Sequence, residues 1–157
     1  MVLYTCSLQS TQLFNDIYAF VDKIIKPNGI RFILDMRINS EKHIDFRTGS
    51  SSEILKNNNC KYLYFGNNPV KYNEKMQVIK GGKVIETMEE HEILENNDCV
   101  SAVKSIAISC KKFDKCLLLG SKPNKFKDNR SLVAYLAKDF VKKEYGETLY
   151  IMHIGER

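Results

Sequence analysis

A chain of 157 residues with 43% apolar residues, 27% charged residues and a net charge of +5 has the length and balance of one domain, 1–157, able to bury its own core. No apolar run approaches the roughly 18 residues of a membrane span. The five cysteines, at 6, 60, 99, 110 and 116, include no Cys-x-x-Cys pair. That spacing supports neither a zinc knuckle nor a thioredoxin-type motif, and reduced thiols in a cytoplasmic protein are expected.

The opening MVLYTCSLQS has no basic segment ahead of a long apolar one, so no signal peptide is expected. Val2 to Cys6 reads as a short strand. Ser10 or Thr11 is placed to cap the helix that follows, with Leu13, Phe14, Ile17, Phe20, Val21, Ile24 and Ile25 on one face. Pro27-Asn28-Gly29 stops that helix. Arg31 to Met36 reads as a buried strand closed by the charged pair Asp35 and Arg37. The polar stretch Ile38 to Ser52 reads as a loop into a short helix with Ile54 and Leu55. Cys60 to Phe65 is a third strand, closed by Gly66-Asn67-Asn68-Pro69.

Met76 to Lys80 and Lys83 to Glu86 flank Gly81-Gly82, the pattern of a β-hairpin, taken as an insertion over about 75–87. An acidic stretch follows. Residues 86–98 hold six acids and no Lys or Arg, whereas 110–143 hold ten Lys or Arg against three Asp. Such segregation either offers a basic face to phosphates or is solvated helix surface. Val100 to Lys112 reads as a helix, Cys116 to Leu119 as a fourth core strand, Ser131 to Lys143 as a helix ended by Gly146, and Leu149 to Ile154 as a last strand.

Strands alternating with helices imply an α/β fold: a three-layer sandwich around a largely parallel five-stranded sheet with an inserted hairpin. Such sheets bind ligands outside the carboxyl ends of their strands. In this chain those ends are Cys6-Ser7, Asp35 to Arg37, Gly66 to Asn68, Gly120 to Lys122 and His153. The basic loop after Leu119, GSKPNKFKDNR, leads into a helix at Arg130-Ser131, where backbone N–H groups favour an anion. Alternatively, Asp128 or Asn129 simply caps that helix. Arg37 is either a cation aimed at a phosphate or half of a salt bridge bracing the sheet.

These residues, in this order, resemble the domain-of-unknown-function 488 family (DUF 488) over nearly the whole chain apart from the hairpin. The family's opening strand ends in Thr-Ile-Gly-His-Ser, matched by Thr5-Cys6-Ser7; its Asp-Val-Arg is matched by Asp35-Met36-Arg37. A Tyr-x-x-Leu-Gly strand corresponds to Tyr62 to Gly66. The Cys116 to Arg130 stretch, with Pro123, resembles the family's block of Cys-Ala-Glu, a Pro and Cys-His-Arg, and the closing His-Ile corresponds to His153-Ile154. The departures matter equally. Cys-Ala-Glu becomes Leu119-Gly120-Ser121, and the Cys-His of Cys-His-Arg becomes Asp128-Asn129. The resemblance thus implies a fold and a site location, with the family's Cys and His absent.

The leading expectation is an anionic ligand, a nucleotide or nucleic-acid phosphate, held by Ser7, Asp35, Arg37, Ser121, Lys122, Asn129, Arg130, Ser131 and His153 without Cys-His catalysis. Whether the chain is an enzyme at all stays open. One alternative is a small enzyme using Cys6 or His153 with Asp35 and Arg37. Another is a protein–protein module acting through the hairpin, and a homo-oligomer is compatible with either. No metal, cofactor or membrane partner is expected. His43 and His91 lack ligand spacing, and the P-loop, dinucleotide and nucleophile-elbow glycine motifs are missing.

Overall fold

The apolar runs Val2 to Tyr4, Phe32 to Leu34 and Cys116 to Leu119 become the middle of one sheet. A computed structural model describes residues 1–8, 16–37, 44–47, 49–64, 78–80, 83–85, 97–120 and 130–155. Its strands are β1 (Val2–Ser7), β2 (Phe32–Asp35), β3 (Lys61–Tyr64), β4 (Val78–Lys80), β5 (Lys83–Ile85), β6 (Lys115–Gly120) and β7 (Tyr150–His153). The helices are α1, α2 (Gly49–Asn57), α3 (Asn97–Phe113) and α4 (Arg130–Tyr145). α1 is made of three contiguous pieces, Ile17–Phe20, the π-helical Val21–Ile25 and Lys26–Asn28.

Five strands pair in the order β3-β2-β6-β1-β7, and every pairing is parallel. The sheet is therefore wholly parallel, because every connection between its strands contains a helix that returns the chain to the same end. β1 and β6 are buried from their second residue onward, as central strands covered on both faces must be. β3 and β7 alternate between exposed and half-buried residues, as edges do. β4 and β5 form a separate antiparallel pair in the register Val78↔Ile85, the expected hairpin; Gly81 and Gly82 lie outside the described residues.

Two cores sandwich the sheet. Leu3, Leu34, Cys116 and Leu118 pack against Ala102, Val103 and Ile106 of α3 and Val133, Ala137 and Val141 of α4. On the other face Tyr4, Cys6, Ile33, Leu117 and Leu119 pack against Phe20, Val21 and Ile24 of α1 and Leu55 of α2. Odd and even strand positions divide cleanly between the two cores, which is the period-two signature of pleated strands.

The helix ends follow the sequence signals. Gly29 and Gly146 both take left-handed conformations, with φ of 63° and 64°, after α1 and α4. The Asp16 side chain caps Ile17–Phe20 by accepting from the Ala19 N–H at 3.0 Å. The caps expected at Ser10 or Thr11, and the apolar Leu13 and Phe14, lie outside the described residues, as does the acidic stretch 86–96. No helix among the described residues is long and apolar enough to cross a membrane.

Candidate functional site at the carboxyl ends of the strands

β1 and β6 are neighbours, yet the chain leaves them for opposite faces. From β1 it goes to α1 on one face and on to β2; from β6 it goes to α4 on the other face and on to β7. Each crossover passes over the other's starting strand. This divergence is the topological switch at which open α/β sheets form their crevice. In register, its floor is Ser7 opposite Gly120.

The buried polar side chains gather at this end. Among the described residues they are Thr5, Ser7, Asp35, Arg37, Arg130 and Ser131. Ser7 ends β1, Asp35 ends β2, and Arg130 and Ser131 open α4. Arg130 is fully buried and is the largest fully buried side chain described. A guanidinium stays charged in any protein, so placing one at a helix N-terminus inside the fold demands anionic or polar compensation there. Ser121, Lys122 and Asn129, with Asp128, lie outside the described residues.

Asp35 and Arg37 form a closed fork. The Arg37 backbone N–H donates to Asp35 Oδ1 at 3.0 Å, Nε donates to Oδ1 at 2.9 Å and Nη2 donates to Oδ2 at 2.8 Å. Nη2 also donates to the Ile44 carbonyl at 2.7 Å, and the Tyr62 hydroxyl donates to Asp35 Oδ2 at 2.6 Å. The guanidinium lies 5.4 Å from the centre of the Phe46 ring. One edge of the Arg37 fork is thus committed to binding β2 to the returning segment 44–47. Burial, the Asp35 charge and this hydrogen bond together push the Tyr62 phenol far above its ordinary pKa, so it stays a neutral donor.

His153 is bonded elsewhere. Its Nδ1 lies 2.5 Å from Thr5 Oγ1 across the β1–β7 pairing. Cys6 is the next residue of β1 and points to the opposite face, into the core beneath α1. Cys6 and the Thr5–His153 pair therefore lie on opposite faces of the sheet.

Sequence reasoning missed Thr5, Ile44, Phe46 and Tyr62 as parts of this end of the sheet. One signal was present. Asp45-Phe46-Arg47 repeats the Asp-x-Arg triplet of 35–37, and it folds the same way, with Arg47 N and Nε on Asp45 Oδ1 at 3.0 and 2.9 Å. Among the described residues no cluster of three or more His, Cys, Asp or Glu is placed to hold a metal ion. Compared with protein-family models, curated proteins and solved structures, the chain matches none.

Proposed function

We propose that this chain is a DUF 488-like domain that binds a phosphate-bearing anion, a nucleotide or a nucleic-acid phosphate, at the carboxyl ends of its strands. Arg130 and the N-terminus of α4 supply the positive charge, and the Asp35–Arg37–Tyr62 network holds the rim. The observation that carries the reading is the gathering of the described buried polar side chains, two arginines among them, at the carboxyl ends of β1 and β2 and the start of α4. Burying a guanidinium is costly, and helix N-termini at switch points are where such folds receive phosphates. Binding without Cys-His catalysis is favoured because Leu119-Gly120-Ser121 and Asp128-Asn129 stand where the DUF 488 resemblance would put Cys-Ala-Glu and Cys-His.

The test is binding of labelled single-stranded RNA and DNA and of a nucleotide panel at low and high salt. Arg130→Lys keeps the charge but loses the fork, and Ser131→Ala removes a buried hydroxyl. Each variant is first shown by its melting curve to be folded. The expected result is binding by the wild type that falls on the order of tenfold or more in Arg130→Lys, the value of one charge-assisted contact. A steep salt slope with polymer would add several phosphate contacts to the picture. Folded wild type that binds neither polymer nor nucleotide overturns the reading.

A further inference from the structure

A groove of about 650 Å³ opens on the α1/α2 side of the sheet edge, between α2, β3 and the segment 44–47. That volume is in the range of small-molecule sites. Its walls are apolar: the buried Leu55, Cys60 and Phe46, and the ring of Tyr62. Among the described residues, Arg31, Arg47, Lys56 and Lys61 border it and no carboxylate does.

The four cations are not equivalent. Arg47 is bonded to Asp45 and stacks 4.6 Å from the Tyr64 ring centre. The Lys61 ammonium lies over Phe113, which packs in the core on the other side of the sheet. Arg31 and Lys56 enter no ion pair among the described residues. Arg31 immediately precedes β2, two positions before Ile33, which packs on the same face as Tyr62. Lys56 lies in the last turn of α2, where a cation is already favoured by the helix dipole.

We propose that this groove is a second binding site, separate from the switch between β1 and β6, for a small aromatic phosphate monoester of the nucleoside monophosphate class. A phosphate monoester carries roughly two negative charges near pH 7, which matches the pair Arg31 and Lys56. The apolar walls take the planar base, and the half-buried Tyr62 ring that lines the groove offers a stacking surface while its hydroxyl is held by Asp35. Ser52 and Asn59 add neutral hydrogen-bonding groups at the rim. The Cys60 thiol at the wall, pushed up to about 12 by burial, stays uncharged and does not oppose an anion.

The experiment is calorimetric titration of the protein with a panel of nucleoside monophosphates, and with adenosine, inorganic phosphate and benzoate as partial ligands. The variants are Arg31→Gln/Lys56→Gln and Tyr62→Leu, with Ser131→Ala reporting on the other site. At least one monophosphate is expected to bind about tenfold or more tightly than adenosine, phosphate or benzoate. That affinity is expected to fall about tenfold or more in the charge variant, to fall in Tyr62→Leu, and to be unchanged in Ser131→Ala. It is also expected to weaken below about pH 6, as the monoester takes up its second proton. Asp45, held below its ordinary range by the Arg47 hydrogen bond, and the raised Cys60 and Tyr62 do not titrate in that window. The proposal is overturned if no monophosphate binds folded wild type, if benzoate binds as well as any of them, or if a charge variant of wild-type melting temperature binds unchanged. Loss of binding in Ser131→Ala alone would place the monophosphate at the strand ends instead.

Discussion

Asp35-Met36-Arg37 and Asp45-Phe46-Arg47 make the same local fork, yet burial gives them different weight. The first pair is 7% and 0% exposed at its side chains; the second is 45% exposed on both sides. A buried pair broken on one side strands the other charge, at a cost of about 3–5 kcal/mol, whereas exposed pairs contribute little because water replaces them. Arg37→Ala is therefore expected to lower the urea unfolding midpoint sharply, while Arg47→Ala leaves it nearly unchanged. Tyr62→Phe keeps the ring but removes one donor from Asp35, an expected loss of about 1.5–3 kcal/mol. Equal midpoints for Arg37→Ala and Arg47→Ala would show that the Asp35 network does not hold the sheet end. Asp35 and Arg37 were legible from sequence as a charged pair closing an apolar run. Tyr62 and Ile44 were not, because their place beside that pair depends on the β2–β3 register and on the path by which 44–47 returns. Arg130 was legible as a helix-opening cation; its complete burial was not, since a Lys-rich neighbourhood reads as solvated surface.

Elements were easier to read than their contacts, and the helix ends show why. The Gly that stops α4 acts through its own backbone, so no tertiary information is needed to find it. At Gly146, with φ of 64°, an added Cβ would meet nothing within 4 Å. The whole cost of Gly146→Ala is then conformational, about 1–2 kcal/mol, and Gly146→Asn is expected to cost less because Asn tolerates the left-handed region. Chemical denaturation of the two variants checks this; an Ala variant as stable as wild type would mean that the C-terminal end of α4 unwinds without cost. The π-helical turn Val21–Ile25 left no comparable mark. Its residues fit an ordinary apolar stripe, and the widened turn arises where Val21, Ile24 and Ile25 all enter one core. Strand order was also hidden. Five apolar runs do not reveal that β6 inserts between β1 and β2, a matter of which crossover covers which face.

At the scale of the whole molecule, the sheet is a wall between two cores that share β1, β2 and β6. Their backbones are common to both, and the side chains alternate. Stripping the helices from either face would expose the apolar side of the sheet the other core rests on, so the two layers are expected to unfold as one cooperative unit. The cysteines report on this without any added probe. Cys6 and Cys60 belong to the α1/α2 core, and Cys110 and Cys116 to the α3/α4 core; all four are buried and none is in a disulfide. Burial pushes the Cys60 thiol up to about 12. The Cys110 hydrogen bond and then burial push the Cys116 thiol up as well. Only the thiolate is nucleophilic, so burial protects all four groups in the native state and protonation further protects Cys60 and Cys116. Pulse alkylation across a urea series, read residue by residue by mass spectrometry, is expected to give one midpoint for all four thiols, coincident with the loss of helical circular dichroism. If Cys6 and Cys60 became reactive at lower urea than Cys110 and Cys116, the α1/α2 layer would be detaching from a persisting sheet. The Asp35–Arg37–Tyr62 network, which ties segment 44–47 to β2 on that side, would then be the weak point, and Arg37→Ala would widen the gap between the two midpoints.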